Sequence, residues 1–399
     1  MIRPKVRGGV CMNAHPAGCA AEVRGQIQTA QTSISRSEAA NGPKTVLIIG
    51  GSTGYGLSSR ITAAFGYNAE TISVSFEREP TEKKPATPGW YNTKAFDREA
   101  EKAGLASTSF FGDAFSHEMK ERIAETLKER GRTVDLLVYS LASGVRPDPD
   151  TGETYRSALK PIGTSYSTVS LDFMNETLSE TTLETATDDD VRQTVKVMGG
   201  EDWYLWTKAL QDRGLLSDDF ITVSYSYIGP EVTHPIYRSG TIGKAKEHLE
   251  GTARELDREL GDRRSAYVSI NKAVVTRASA VIPAVPLYVS LLFSVMKSEG
   301  LHEGCQEQMN RLFRDRLYTG GEIPADSEGR IRMDDWEMRE DVQREVSRRW
   351  EAVNESNLHD YADIEGYRSD FLRLHGFSVH GVNYEQEVDF RSVPEAEEA

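Results

Sequence analysis

Cysteine is scarce. The 399 residues hold three, Cys11, Cys19 and Cys305, with no CxxC pair and no metal-ligand spacing. That excludes a disulfide scaffold and a zinc framework, and it points to free thiols in a reducing compartment. Long apolar runs are also missing. The richest stretch, Val281 to Met296, contains two prolines and falls short of the roughly 20 residues a spanning helix needs. The charged start, Met1 to Arg7, is not followed by an apolar run of roughly 7–15 residues, so no signal peptide is expected. Nor is there a basic excess. With 47 Lys and Arg against 62 Asp and Glu, the net charge is −15. That argues against a nucleic-acid partner and still permits a local positive pocket for a small anion. No repeat at a period of roughly 20–50 residues is visible. The expectation is a cytoplasmic protein without a membrane span or a metal site.

What is present is an alternation of strands and helices. Strands are expected at Thr45–Gly50, Glu70–Phe76, Ser107–Phe111, Val134–Leu141, Phe220–Tyr227 and Ala266–Asn271. Helices are expected at Leu57–Phe65, Thr93–Ala103, Ser116–Arg130 and Thr241–Leu260. Parallel strands joined by helices make a doubly wound, Rossmann-like α/β fold, since each crossover must cover a sheet face. Pro80–Asn92 reads as a proline-containing insert. Gly144–Asp219 is too long for one connection and holds a helix-like piece, Asp202–Asp212. No clean linker is visible, so one elaborated domain is expected: an extension over 1–44, a core over 45–300, and charged helices packed on its edge over 301–399. Gly320–Gly329 reads as a loop.

The stretch IIGGSTGYGLSSRITAAFG, Ile48 to Gly66, puts Gly50, Gly54 and Gly56 between a buried strand and a helix. Glycine there lets backbone N–H groups approach a pyrophosphate at a helix N-terminus. A dinucleotide site also wants an acid after the next strand to bond the adenosine ribose, and Glu77 stands there, favouring NADH over NADPH. Asp113 follows the third strand, where an acid meets the adenine edge. Ser140, Leu141 and Ala142 end the fourth, at the rim where nicotinamide chemistry lies.

Tyr237 and Lys246 follow the fifth strand. Nucleotide-dependent reductases commonly pair a tyrosine and a lysine one helical turn apart. Here they are nine apart, and nine steps of about 100° place them on opposite faces of an unbroken helix. Tyr237 is therefore expected before the regular helix, or the helix is distorted at Gly240 and Gly243, with Ser239 or Thr241 as its cap. A phenol donor stabilises the charge that hydride addition to an enoyl thioester pushes onto the carbonyl oxygen. A lysine ammonium holds the nicotinamide ribose. Tyr227, ten residues earlier, is also within reach of the thioester.

Together these residues resemble the FabV-type enoyl-acyl-carrier-protein reductases, close to the trans-2-enoyl-CoA reductases. The likeness spans RPKVRGGVCMNAHPAGC (Arg3–Cys19), the glycine stretch, FEREPTEKKPATPGWYN (Phe76–Asn92), YSLASGVRPDP (Tyr139–Pro149), YSYIGPEVTHPIYRSGTIGKAKEHL (Tyr225–Leu249) and VTRASAVIPAVPLY (Val275–Tyr288). The wide Tyr-to-Lys spacing is that family's mark. The resemblance implies that Gly50, Gly51, Ser52, Thr53, Gly54 and Tyr55 hold the NAD pyrophosphate. It implies Phe76 and Glu77 at the adenosine end, and Asp113 and Ala114 along the adenine. Leu141 and Ala142 lie near the nicotinamide, and Val275, Thr276 and Arg277 complete the pocket. Tyr237 is the proton donor, Lys246 binds cofactor and Tyr227 contacts substrate. The family pattern often differs at His234, Arg238 and Arg277, which flank the acyl pocket and bear on chain-length preference. The resemblance further implies a monomer with an N-terminal hairpin, extra C-terminal helices and a lid at Val281–Tyr288. On its residues alone that segment reads as a core helix start, and His15 as a structural residue in the hairpin.

The expected activity is NADH-dependent reduction of the trans-2 double bond of an enoyl thioester, carried on CoA or on an acyl-carrier protein. The alternatives are a 3-ketoacyl or carbonyl reductase and a non-catalytic NAD-binding sensor. An acidic carrier protein needs a basic docking patch, for which Arg311, Arg314 and Arg316, or Arg344, Arg348 and Arg349, are the candidates. The plainer reading of either group is an exposed charged helix.

Overall fold

Short aliphatic and β-branched runs, covered on both faces, form the strands at the centre of the molecule. A computed structural model describes residues 2–394. In it β1 (Thr45–Ile49), β2 (Glu70–Ser75), β3 (Ser107–Phe111), β4 (Val134–Tyr139), β5 (Leu216–Ser226), β6 (Ser265–Ile270) and β7 (Arg330–Arg332) make one sheet. Its order is β7-β6-β5-β4-β1-β2-β3, with every pairing parallel. The winding direction reverses between β1 and β4, as the doubly wound expectation requires.

The main helices are α1 (Pro16–Ser33), α2 (Gly54–Ile61), α3 (Pro88–Lys102), α4 (His117–Glu129), α5 (Asp188–Met198), α6 (Glu201–Gln211), the one-turn α7 (His234–Tyr237), α8 (Thr241–Leu260), α9 (Val285–Ser298), α10 (Cys305–Leu312), α11 (Glu340–Ala352) and α12 (Ile364–Arg373). Side chains alternate across each strand. Leu47 and Ile49 of β1 therefore join Leu137, Trp203, Trp206 and Leu256 on one face of the sheet. Val46 and Ile48 meet Met309, Leu312 and Phe313 on the other. A further core, built by α9, α11 and α12, lies beyond the β6 exit.

Five features differ from expectation. The N-terminal hairpin pairs Val6–Arg7 with Val10–Cys11, but most of the extension is α1. His15 is not in the hairpin. It caps α1, accepting at Nδ1 from the Gly18 N–H at 3.2 Å. Helix α3 starts at Pro88 rather than Thr93, because proline is tolerated in a first helical turn, where its missing N–H has no intrahelical partner to lose. The long 144–219 stretch holds α5, α6 and two small antiparallel strand pairs, Val145–Pro147 with Thr154–Arg156 and Tyr166–Asp172 with Thr177–Leu183. Finally, the C-terminal hundred residues supply a strand, β7, where only helices were expected. Its two arginines are neutralised by Asp326, Glu250 and Asp334, and only Ile331 is fully buried.

Candidate active site

In a parallel sheet all strands end on one side, and ligands bind there, at the crevice where the winding reverses. Gly50 leaves β1 at that crevice with φ +91°, and a Cβ on it would stand 2.4 Å from the Ser140 carbonyl oxygen beyond β4. Only glycine allows the two strand ends to come this close. Gly51, Ser52 and Thr53 lead into α2 at Gly54. Thr53, the N-cap, makes no side-chain cap bond, so no side chain of the cap takes up the first-turn N–H groups. Ser52 Oγ donates to Glu77 Oε1 at 2.7 Å, and Asn92 Nδ2 donates to the Ser52 carbonyl at 3.1 Å. Arg277 Nη1 lies 3.9 Å from the same Glu77 oxygen. Glu77 thus has one oxygen engaged by the glycine turn itself. The Phe76 ring next to it is 83% exposed.

Asp113 accepts the Phe115 N–H at 2.9 Å. The Ala114 carbonyl receives Lys120 and Trp206. Leu141 is half-buried and Ala142 exposed, just past β4. Val275 is buried, and Thr276 stands over the glycine turn, its methyl 3.9 Å from where a Gly54 Cβ would be. The Tyr55 hydroxyl donates to the Lys272 carbonyl at 2.6 Å and ties the turn to the end of β6. Two buried polar atoms at the strand exits, Ser226 Oγ and Asn271 Nδ2, have no partner among the described residues. A glycine turn, an uncapped helix start, an acid after β2 and unpaired polar groups fit a bound dinucleotide.

Tyr237 and Lys246 sit on two helices, not one. Tyr237 closes α7, the chain breaks at Arg238–Gly240, and Lys246 lies in the second turn of α8. The break is close-packed: a Cβ on Gly243 would stand 2.0 Å from the Arg238 carbonyl oxygen. The α8 N-cap is Gly240, not Ser239 or Thr241. Thr241 Oγ1 instead donates to the Ala158 carbonyl. The break frees the two side chains from the back-to-back placement of a continuous helix. Among the described residues neither the Tyr237 hydroxyl nor the Lys246 ammonium has a hydrogen-bond partner: only burial and neighbouring charges act on them. Burial, then the charge of Glu337, push the Tyr237 phenol up. Burial pulls Lys246 down to about 8, against the pull of Glu250.

Tyr227 packs edge-on against Tyr237, with ring centroids 4.9 Å apart. Its hydroxyl donates to Glu337 Oε1 at 2.9 Å, and Tyr288 donates to the same oxygen at 2.6 Å. The sequence did not single out Glu337. It lies five residues past β7, and recognising that strand was the one signal that leads to it, since the other site residues also follow strand ends.

Neither arginine group forms a free basic patch. Arg311 is buried against Glu303 and Asp335 rather than exposed, Arg314 pairs with Asp315, and Arg316 with Asp335. Arg344, Arg348 and Arg349 pair with Glu340 and Glu345. Among the described residues no helix is long and apolar enough to cross a membrane, and no His, Cys, Asp and Glu group suits a metal.

Sequence profiles of known families match nearly the whole chain. Residues 1–82 match one described as the NAD(P)H binding domain of trans-2-enoyl-CoA reductase, and residues 84–318 its catalytic region. Residues 325–388 match one described as an enoyl reductase FAD binding domain. The described residues there do not fit a flavin's pyrophosphate. No glycine stands between β7 and α11, and the turn carries the buried acids Asp334 and Glu337, the wrong charge for phosphate. An enoyl-[acyl-carrier-protein] reductase [NADH] of Cytophaga hutchinsonii is 52% identical, covering 98% of this chain and 98% of its own. A trans-2-enoyl-CoA reductase [NADH] of Treponema denticola is 53% identical, with the same coverage. The crystal structure of Treponema denticola trans-2-enoyl-CoA reductase in complex with NAD superposes with a TM-score of 0.96 at 52% identity, covering 99% of this chain and 100% of that one. With family profiles matching most of its length, a shared fold and about half its residues in common with these proteins, the chain belongs to the family of NADH-dependent trans-2-enoyl-CoA and enoyl-acyl-carrier-protein reductases.

Proposed function

We propose that this chain reduces the trans-2 double bond of an enoyl thioester, carried on coenzyme A or on an acyl-carrier protein, with NADH. The observation that carries the reading is the Tyr237 hydroxyl, without a hydrogen-bond partner among the described residues, beside a Tyr227 whose proton is already committed, at the strand ends that hold the dinucleotide turn. NADH, when bound, supplies the hydride for the β-carbon. Gly50 to Tyr55 hold the pyrophosphate, and Phe76 offers its exposed ring to the adenosine end. Glu77 holds the ribose with the oxygen that Ser52 leaves free. Asp113, Ala114, Leu141, Ala142, Val275, Thr276 and Arg277 line the remainder. Tyr237 donates its hydrogen bond to the thioester carbonyl as charge develops there. Its raised pKa keeps that proton in place at neutral pH. Tyr227 packs against Tyr237 and the acyl chain. The buried cysteines Cys11 and Cys19, free of any disulfide among the described residues, support a cytoplasmic location. We read the chain as one working unit and a monomer, because its C-terminal segment closes its own sheet and site.

NADH oxidation with crotonyl-CoA, yielding butyryl-CoA, is the expected result. Oxidation with acetoacetyl-CoA alone would make the protein a carbonyl reductase, and oxidation with neither a sensor.

Two further results are expected at the cofactor site. Lys246 binds as the ammonium, and its pKa of about 8 lies below that of a free lysine. The charged form therefore predominates below about pH 8, is half lost there and disappears as pH rises further. NADH affinity, followed by fluorescence, weakens over that interval in the wild type and stays flat in Lys246→Arg, whose charge persists. A flat wild-type profile removes Lys246 from the binding site. Glu77→Ala lowers NADH affinity by about tenfold or more, the scale of a hydrogen bond to a charged group. It lowers NADPH affinity less, because the same change relieves repulsion of the 2′-phosphate. Equal losses would mean that Glu77 acts only through Ser52.

A further inference from the structure

The segment after β7 runs Met333 to Met338 and carries one carboxylate into the catalytic side of the sheet. Glu337 is fully buried and, among the described residues, forms no ion pair. Its two oxygens meet three donors from three other elements. Oε1 accepts from Tyr227, at the end of β5, and from Tyr288, in the first turn of α9. Oε2 accepts from the Ala273 N–H beyond β6 at 2.6 Å. Gln343 Nε2 donates to the Tyr288 oxygen at 3.2 Å and to the Glu337 carbonyl at 2.7 Å. The Tyr288 oxygen is thus an acceptor towards Gln343, and its own proton points to Glu337. Lys272, also buried, donates to the Ala273 carbonyl at 2.9 Å and sets a positive charge near the carboxylate.

Burial raises the pKa of the Glu337 carboxyl, and Lys272 with the donors of Tyr288 and Ala273 opposes this; as the ionised form it is an acceptor only. A phenol bonded to it has given up its one proton. We infer that Glu337 is a positioning residue for the reaction: it takes the hydroxyl protons of Tyr227 and Tyr288, and so leaves Tyr237 as the one phenol of the Tyr227–Tyr237 pair able to donate to a thioester carbonyl. The inference rests on the enoyl-reductase reading above. It explains how two tyrosines with touching rings hold different tasks. Tyr227 is locked as a wall whose oxygen faces the site as an acceptor, and Tyr237 remains the donor. It also gives the stretch matched to a flavin-binding description a different task, that of closing the NADH site's donor set.

The titratable groups that face Glu337 are Tyr55, Tyr227, Tyr237, Lys272, Tyr288 and Asp334. Of these, Tyr237 is required protonated, so kcat at saturating NADH falls as pH rises through its pKa, a loss distinct from the weaker NADH binding that follows Lys246. The Glu337 charge raises that pKa, and removing the charge moves the alkaline limb to lower pH.

The test uses the full chain with NADH and crotonyl-CoA. Glu337→Gln keeps the shape but removes the charge and replaces one acceptor oxygen with an NH2 donor, so either both phenols or the Ala273 N–H lose their acceptor. It is expected to lower kcat about 10- to 100-fold, the range for losing a hydrogen bond to a charged group. NADH affinity, read by fluorescence, stays unchanged, and the alkaline limb shifts to lower pH. Because Glu337 acts through Tyr227, the Glu337→Gln/Tyr227→Phe double variant is no slower than the slower single variant. Tyr288→Phe, which leaves the Tyr227–Glu337 bond in place, keeps near wild-type kcat and the wild-type alkaline limb. Three results would overturn the inference: wild-type kcat and pH profile in Glu337→Gln, losses that multiply in the double variant, or a Tyr288→Phe variant as slow as Glu337→Gln. If Glu337→Gln does not fold, the Tyr288→Phe result and the Tyr227→Phe pH profile decide, the latter being expected to keep its alkaline limb because the charge remains. A wild type that leaves crotonyl-CoA untouched defeats the proposed function instead. An active wild type with an equally active Glu337→Gln defeats this inference alone.

Discussion

Tyr237→Phe is expected to bind NADH as the wild type does and to lose about 10²–10⁴-fold in kcat, the range for removing a positioned proton donor. The substitution deletes one oxygen and leaves the ring, so the edge-on contact with Tyr227 at 4.9 Å survives. No cap or core hydrogen bond is lost, because the hydroxyl has no partner among the described residues. Tyr227 does not take over, since its proton lies on Glu337. The loss therefore falls on the step in which charge reaches the carbonyl oxygen, and kcat and kcat/KM drop together. Steady-state kinetics with crotonyl-CoA, beside NADH titration by fluorescence, separates this from a folding defect. Turnover within a few-fold of wild type would remove the phenol from the mechanism.

Lys120→Met is expected to cost about 3–5 kcal/mol of stability, the range for leaving one partner of a buried ion pair alone. Lys120 Nζ lies 2.7 Å from Asp202 Oδ1, with 4% and 2% of the two side chains exposed. The ammonium also donates to the Ala114 and Phe115 carbonyls, and Tyr139 donates to the other Asp202 oxygen at 3.0 Å. One lysine thus joins α4, α6 and the turn after β3. Methionine fills most of the volume but leaves Asp202 with a single phenol donor and the Phe115 carbonyl without its ammonium, while the Ala114 carbonyl keeps Trp206. Denaturant unfolding measures the cost. Lys120→Met/Asp202→Leu, which removes both charges, recovers much of it, since an apolar pair replaces an ion pair at little net cost. A loss under about 1 kcal/mol in the single variant would show that the pair is not buried as described.

Both sites show why part of the molecule was legible in the sequence. The β1–glycine–α2 unit announces itself because a buried strand, a cluster of glycines and an amphipathic pattern occur in immediate succession. The limits of Ser107–Phe111 and Thr241–Leu260 are the expected ones, since period-2 and period-3.6 patterns there are undisturbed. The break between Tyr237 and Lys246 follows from helix geometry alone. The misses have local causes. Strand β7 is three residues long and two of them are arginines, so it has no period to read; its charges are neutralised by acids distant in sequence. Glu337 is hidden behind that miss, inside a run of charged residues where one buried carboxylate looks like its exposed neighbours. Arg311 shows the converse. It looked like surface charge and is buried, because Glu303 and Asp335 come to it only in the fold. In α3 the first five residues, Pro88 to Asn92, fall in the stretch that reads as a proline-containing insert, and the proline marks the helix start. The roles of Glu77 and Tyr227 came through the resemblance, but the hydrogen bonds that limit what each can do, from Ser52 and to Glu337, are visible only in three dimensions.

The most direct measurement of the central claim is a crystal structure of the full chain with NAD+ and butyryl-CoA, the product pair. The account predicts the Tyr237 hydroxyl within hydrogen-bond distance of the thioester oxygen, the Lys246 ammonium on the nicotinamide ribose, and Tyr227 still bonded to Glu337. A thioester oxygen held by Tyr227 or by a backbone N–H, with the Tyr237 hydroxyl turned away from it, would contradict the account.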